Sequence, residues 1–355
     1  MLYRECGVYR TSYAKDTVLF PLRADRLGTA ALVLAAVLLP PLLGTYWLRG
    51  ILIPFLVFSL AALGLNFLTG YAGQLSLGQS AFMAVGAYTG VILYGRYAVP
   101  LPLALLGAGL VAAATGAVAG TPSLRIKGFY LAVATLAAQF LITWTIQHVR
   151  WISGGVFATI NTPAVRVGSL VLDTALRQYY LALATVALLT TFGMNLARSR
   201  IGRAWMAIRD RDIAAQIIGI RLLPYKVLAF VVSAFYAGVA GALVVFCWYG
   251  SANIEEFDLV GSVRILGMVI IGGMGSVVGS FLGAGFVTLL PILVSVTVHR
   301  IGALSGGPAL SGLISSVEDV IFGTAIILFL VLEPLGLARL WKTIKDYLRL
   351  WPFPY

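Results

Sequence analysis

Residue types that carry catalysis are scarce in this sequence, and they are not grouped as an active site requires. The chain has two histidines, His148 and His299, and two cysteines, Cys6 and Cys247. It contains no HExxH motif, no Cys/His cluster at metal-ligand spacing, no G-x-x-x-x-G-K-[ST] phosphate loop and no G-x-S-x-G nucleophile turn. The sequence therefore predicts a protein that is not an enzyme, with no catalytic residues, metal or cofactor of its own.

The acidic residues also have ordinary interpretations. Glu255, Glu256 and Asp258 fall on a predicted loop, where a solvated acidic surface is expected. Glu318 and Asp319 begin a predicted helix, and acids suit a helix N-terminus. Both histidines fall at predicted outer helix ends, where interfacial side chains are common, and the cysteines are predicted to be free thiols.

Uncharged polar groups inside apolar segments are the stronger signal. They occur in "LTGYAGQLSLGQSAFMAVGAYTG" (68–90) and in "ILGMVIIGGMGSVVGSFLGAGF" (265–286). Irregular backbone at membrane depth persists only where it is packed in protein or lines a cavity. The predicted translocation-path residues are Gln74, Ser76, Gln79, Ser80, Gly273, Gly275 and Ser276.

The alternative for these residues is helix packing. Small residues let helices approach closely, so path and packing are equally supported for the glycines. Glutamine packs poorly, which favours a cavity-facing role for Gln74 and Gln79. The serines are ambiguous because a serine can bond its own helix backbone.

The composition places these segments in a membrane. Of the 355 residues, 60% are hydrophobic and 11% are charged, and the mean hydropathy is +0.95. Soluble domains carry about a quarter charged residues. The net charge of +12 does not indicate nucleic-acid binding, because the basic residues collect in short segments between apolar runs. With about 20 residues per span, we predict an all-α polytopic protein with ten helices near 27–43, 50–69, 75–95, 99–120, 129–147, 177–197, 227–248, 260–272, 279–298 and 317–332.

Charge orients the predicted spans. Most Lys and Arg residues fall in segments that share one side, so the positive-inside rule predicts that both termini are cytoplasmic. The predicted regions are a cytoplasmic arm (1–26), a membrane domain (27–332) with a long outer loop (148–176) and a cytoplasmic loop (198–226), and a tail (333–355). Turn formers and β-branched residues in the outer loop favour irregular structure over helix. The Gly/Ala-rich helix before Gly120 is expected to pack closely against its neighbours.

The cytoplasmic loop 198–226 contains a charged helical pattern, "AWMAIRDRDIAAQIIGI", which Pro224 is expected to end. Arg198, Arg200 and Arg203 alone would suggest contact with anionic lipid. The charged helix with its Ala-Ala-x-x-x-Gly run instead indicates a docking element, and the missing nucleotide site makes an ATPase the natural partner. The predicted coupling residues are Arg203, Ala207, Arg209, Asp210, Asp212, Ala214, Ala215 and Gly219.

The tail is amphipathic over 336–351. Its charged face carries Lys342, Lys345, Asp346 and Arg349, and the opposite face carries Leu337, Leu340, Trp341, Ile344, Leu348 and Trp351. This pattern predicts a helix along the inner membrane surface. Docking of a partner is the less favoured alternative.

Four segments together resemble the LivM-type permease subunit of bacterial branched-chain amino acid ABC importers. They are "LNFLTGYAGQLSLGQSAFMAVGAYT" (65–89), "IGRAWMAIRDRDIAAQIIGI" (201–220), "KVLAFVVSAFYAGVAGAL" (226–243) and "VIIGGMGSVVGSFLGAGF" (269–286). "IAAQIIG" is similar to the coupling element of importer permeases, with Ile213 in place of its acid. The outer loop "SGGVFATINTPAV" departs from the family pattern.

The resemblance implies alternating access in a bacterial inner membrane. A periplasmic binding protein would dock near 148–176 and 249–259, two cytosolic ATPase subunits holding ATP and Mg would grip 203–219, and a LivH-like second permease would complete the path. The cargo would be branched-chain amino acids. Urea, amides or aromatic acids are the alternatives within the family, and a passive channel or membrane scaffold is the alternative outside it.

Overall fold

The computed structural model describes residues 11–12, 23–121, 126, 128–153, 159–168, 170–304, 320, 323–324, 327, 331 and 336–350. These residues form helices joined by short loops and a few very short strands. The long helices are α1 (Arg23–Leu38), α2 (Thr45–Tyr71), α3 (Gln79–Gly95), α4 (Leu101–Gly120), α5 (Phe129–His148), α7 (Ala175–Arg198), α10 (Leu222–Tyr249), α11 (Leu259–Gly272) and α12 (Val277–Leu304). The shorter helices are α6 (Arg150–Ser153), α8 (Arg200–Asp210), α9 (Asp212–Ile217) and α13 (Leu337–Leu350).

Six segments within the described residues are long and apolar enough to cross a membrane: Thr45–Tyr71, Leu101–Gly120, Phe129–His148, Ala175–Arg198, Leu222–Tyr249 and Val277–Val296. Arg26–Leu42 and Leu259–Gly272 are shorter apolar helices. The predicted all-α polytopic membrane architecture is therefore confirmed. The count of ten spans and the cytoplasmic location of both termini stay predictions, and the span at 317–332 lies almost entirely outside the described residues.

Helix α10 lies at the centre of the bundle and packs against α2, α3 and α4. The contact with α4 uses small residues spaced four apart, so that they share one helix face. Ala104, Ala108, Ala112 and Gly116 are all buried. A Cβ atom added at Gly116 would lie 2.4 Å from the Ala234 side chain. The predicted close packing of the Gly/Ala-rich helix is confirmed.

The loop between α7 and α10 corrects one prediction. The charged pattern is not one helix ended by Pro224. It is two helices, α8 and α9, separated at Arg211, which has extended backbone (φ −156°, ψ 103°). Pro224 instead lies in the first turn of α10, where a missing backbone N–H costs no helical hydrogen bond.

The loops at the end opposite α8 and α9 pair with each other. Strand β1 (Thr159–Asn161) pairs antiparallel with β4 (Ser251–Asn253), and β2 (Arg166–Val167) forms a hairpin with β3 (Leu170–Val171). These strands agree with the turn-rich, β-branched pattern predicted for 148–176. The two loops expected to receive a binding protein therefore form one surface.

The other described residues that could carry chemistry are exposed, cap or end a helix, or are buried in a helix. Glu255 and Glu256 are exposed, and Asp258 caps α11 by accepting from the Gly261 nitrogen at 2.7 Å. His148 ends α5, and its Nδ1 lies 3.0 Å from the Trp144 carbonyl. Cys247 is a buried free thiol in α10. Cys6, Glu318 and Asp319 lie outside the described part of the chain, and so does the side chain of His299.

Candidate functional site

The two glycine-rich turns found in the sequence meet in the structure. One begins in the last turn of α2 and the other joins α11 to α12. Gly70 is the point of closest approach, because a Cβ atom there would lie 2.3 Å from the Gly275 nitrogen and 1.9 Å from Asn66 Oδ1. No side chain fits at that distance, which explains the glycine at position 70.

Asn66 holds the two turns together. Its Nδ2 donates to the Ser276 carbonyl and to Ser280 Oγ, both at 2.8 Å, and its Oδ1 accepts from the Gly275 nitrogen at 2.8 Å. The side chain is fully buried. Sequence reasoning missed this residue, although an amide in the apolar run "LGLNFL" was the available signal.

Arg209 joins helices α8 and α9, which we call the coupling helices, to the same two glycine-rich turns. Its Nη1 donates to the Gly70 carbonyl at 2.8 Å, and a Cβ atom on Gly275 would lie 3.0 Å from that Nη1. The side chain remains partly exposed and its Nε lies 3.2 Å from Asp210 Oδ1. We call Asn66, Gly70, Arg209, Gly275 and Ser276 the glycine junction.

Helix α3 begins later than predicted. The helix predicted over 75–95 starts at Gln79, and residues 73–78 are non-helical. Side chains from other helices satisfy backbone N–H groups in this segment and in the first turn of α3: Leu77 N donates to Thr135 Oγ1, Ser80 N to Ser262 Oγ and Ala81 N to Gln139 Oε1, at 2.8–2.9 Å. These three partners were not predicted. They allow the backbone to leave the helix without burying unpaired N–H groups.

The start of α3 lies inside the bundle rather than at its end. Gln79 Nε2 donates to the Ala61 carbonyl at 3.3 Å. At 1.5 Å per residue, Ala61 lies about 15 Å before the end of α2. The segment 73–78 is thus irregular backbone packed against protein, where the sequence predicted helix from residue 75 onward.

The predicted path residues in this segment are buried. Gln79 and Ser76 have no exposed surface; Ser80 is 2% exposed. Gln79 Oε1 accepts from Ser233 Oγ at 3.2 Å, and Ser76 Oγ accepts from the Gly78 nitrogen at 3.3 Å. These contacts serve packing in this conformation, and the path role of the three residues stays a prediction.

Gln74 differs from them. It is buried, yet neither amide atom has a hydrogen-bond partner among the described residues. It borders a cavity of about 250 Å³ whose wall also includes Arg209, Arg211, Asp212 and Lys226. A predicted path residue and the coupling helices therefore share one cavity.

The second turn contributes three predicted path residues. Gly273 is buried and ends α11 with φ +107°, whereas Gly275 and Ser276 are half-buried within the glycine junction. The structure thus brings Gly275 and Ser276 together with Arg209, which the sequence assigned to another function.

The coupling helices pack against the bundle on one face and are exposed on the other. Trp205 is fully buried, and its Nε1 donates to the Tyr225 carbonyl at 2.8 Å. Ile213, Ile217 and Ile218 are exposed. The predicted coupling residues divide between the faces: Arg203, Arg209, Asp210, Ala214 and Gly219 are exposed, Ala207 and Asp212 are half-buried, and Ala215 is buried. Within the described residues no group of three metal-ligating side chains occurs.

Comparison with known proteins decides the family. The family described as "Branched-chain amino acid transport system / permease component" matches residues 48–330. The chain belongs to this permease family. The match covers both glycine-rich turns and the coupling helices, and it places the protein, as predicted, among transport components rather than enzymes.

Several relatives share parts of this permease. The LivM permease of the high-affinity branched-chain amino acid transport system of Salmonella typhimurium is 32% identical over 62% of this chain and 57% of its own length. The LsrC permease of the autoinducer 2 import system of an Enterobacter species is 28% identical over 56% of this chain and 57% of its own. The fructose import permease FruG of Bifidobacterium longum is 27% identical over 68% of this chain and 72% of its own.

The matched part of the permease thus spans little more than half the length of the LivM relative. No solved structure matches the chain significantly.

Proposed function

We propose that this permease is the membrane subunit of an ATP-driven importer in a bacterial inner membrane. Two cytosolic ATPase subunits would bind α8 and α9, a LivH-like permease would complete the translocation path, and a periplasmic binding protein would deliver cargo to the paired outer loops. ATP and Mg²⁺ would be held by the ATPase subunits, where hydrolysis takes place.

The hydrogen bond from Arg209 to the Gly70 carbonyl is the observation that carries this proposal. It connects the helices with the exposed isoleucines to both glycine-rich turns of the bundle. A force applied to α8 and α9 has a direct route to the ends of α2, α11 and α12. A passive channel or scaffold needs no such connection.

Branched-chain amino acids are the proposed cargo, supported by the family description and by the LivM relatives. Their apolar side chains suit a bundle whose spans hold few charges. Gln74, Ser76, Gln79 and Ser80 are the proposed path residues. They would face the path in a conformation in which the coupling helices have moved.

Affinity purification of the tagged permease from its own host tests the assembly. An ATPase and a second permease are expected to co-purify, and the reconstituted complex is expected to take up labelled leucine when ATP and the binding protein are present. Uptake without ATP would support a channel, and a stable lone chain would contradict the importer. Competition by urea, acetamide or phenylalanine, but not by valine, would contradict the cargo.

Gly219 offers a sharp test of the docking surface. It ends the coupling helices with φ +90°, which proline cannot adopt. The double variant Gly219→Pro with Arg203→Glu is expected to abolish cargo-stimulated ATP hydrolysis without loss of membrane insertion. Gly219→Asn is the control, because asparagine tolerates positive φ. Normal cargo stimulation of ATP hydrolysis in the double variant would disprove docking at α8 and α9.

A further inference from the structure

The helix α13 (Leu337–Leu350) carries an apolar stripe that the described residues leave uncovered. Leu340, Trp341, Ile344 and Tyr347 are between 37% and 63% exposed. Their spacing of three and four places them on one helix face. The flank at Lys345 and Asp346 is half-buried instead. Leu337 and Ala338 at the start of the helix are half-buried as well, whereas the apolar stripe is exposed from Leu340 onward.

The charged residues of α13 are mainly basic. Arg339, Lys342, Lys345 and Arg349 outnumber the single acid, Asp346. A helix with an apolar stripe, aromatic residues and basic flanks suits the interface of an anionic bilayer, where each Lys or Arg contributes about 1 kcal/mol. The helix is too short and too charged to span the hydrocarbon core.

The beginning of α13 is fixed to the turn between α11 and α12. Leu337 packs against the hydrophobic core. Gly336 lies so close to the turn that a Cβ atom on it would be 2.6 Å from the Gly273 nitrogen and Cα and 3.0 Å from the Ile271 carbonyl. Since Gly275 and Ser276 belong to the same turn, α13 lies at the glycine-junction end of the bundle.

We propose that α13 binds the anionic headgroup surface of the bilayer and thereby holds the turn at Gly273 in position. Lipid is the occupant that the observations favour, because the stripe is exposed from Leu340 onward next to the turn between the apolar helices α11 and α12. The basic flanks complement anionic headgroups. This inference is independent of the cargo and of the partner assignment.

Hydrogen exchange on the purified complex in lipid nanodiscs tests the proposal. In phosphatidylcholine mixed with phosphatidylglycerol, amide exchange in 337–350 and in 271–276 is expected to be about tenfold slower than in phosphatidylcholine alone. Replacing Arg339, Lys342, Lys345 and Arg349 with glutamine is expected to remove this difference.

Two further measurements complete the test. The matched control exchanges Lys for Arg and Arg for Lys at the same four positions, which keeps the charge and is expected to keep the protection. Equal exchange in the two lipid mixtures would overturn the proposal. Protection that appears only when an ATPase subunit is bound would overturn it as well, because the stripe would then be a protein docking surface.

Discussion

Asn66 is a single side chain that bridges two distant parts of the sequence. It satisfies the Gly275 nitrogen and the Ser276 carbonyl in a buried site. Asn66→Ala is expected to lower the free energy of unfolding by about 3 kcal/mol, because buried polar groups lose their partner. Thermal unfolding of the purified protein in detergent measures the effect.

Ser59→Ala is the matched control for that change. Ser59 is equally buried in the same helix, but its hydroxyl bonds only the Phe55 carbonyl of its own helix. We expect a loss below about 1 kcal/mol. Equal losses in the two variants would show that the junction contributes nothing beyond an ordinary buried hydroxyl.

Gln79 separates the path interpretation from the packing interpretation. Gln79→Leu removes the amide bonded to Ala61 and Ser233. If Gln79 faces the path in the moving transporter, leucine uptake falls severalfold at unchanged amounts of folded protein. Reduced protein with unchanged uptake per molecule would assign the residue to packing alone. Immunoblotting alongside initial uptake rates distinguishes the two.

At the scale of elements, apolar runs predicted the six membrane-length helices, whereas the breaks between helices were missed. Long apolar runs mark helices such as α4 and α5 directly, because only a helix or a closed barrel satisfies the backbone in lipid. The non-helical segment 73–78 was not predictable, since Thr135, Gln139 and Ser262 lie far along the chain. The break at Arg211 was likewise hidden in an uninterrupted helical pattern.

The candidate site was likewise predictable only in part. The two glycine-rich turns and the coupling residues were found as separate motifs, because each is local in sequence. Their meeting through Asn66 and Arg209 depends on contacts between residues far apart in sequence, and no local pattern encodes it. Arg209, which was predicted to contact an ATPase, also reaches inward to the Gly70 carbonyl, and the ATPase contact stays a prediction.

Helix α8 depends on Trp205 for its position against α10. Trp205→Ala is expected to cost about 3–5 kcal/mol and to increase hydrogen exchange across 200–210, because a large buried ring is lost. Trp205→Phe removes mainly the hydrogen bond to Tyr225 and is expected to cost about 1 kcal/mol. Trp144→Ala is the control, since Trp144 is exposed. A similar exchange rate in Trp205→Ala and Trp144→Ala would contradict the anchoring role.

At the scale of the whole molecule, the orientation of the bundle is open to direct measurement. Asp173 and Gln216 are exposed at opposite ends. With both native cysteines replaced by serine, Asp173→Cys is expected to react with an impermeant maleimide in intact cells. Gln216→Cys is expected to react only after lysis. The reverse pattern would disprove the predicted cytoplasmic side of α8 and α9.

Transport by this permease is expected to depend on force that passes from the coupling helices to the bundle through Arg209. Leucine uptake per ATP hydrolysed in proteoliposomes, compared between Arg209→Gln and the exposed control Arg200→Gln, tests this most directly. We predict continued ATP hydrolysis with severalfold less uptake per ATP in Arg209→Gln, because the charged hydrogen bond to the Gly70 carbonyl is lost, and little change in the control. An unchanged ratio of uptake to hydrolysis in Arg209→Gln would contradict a coupling route through Arg209.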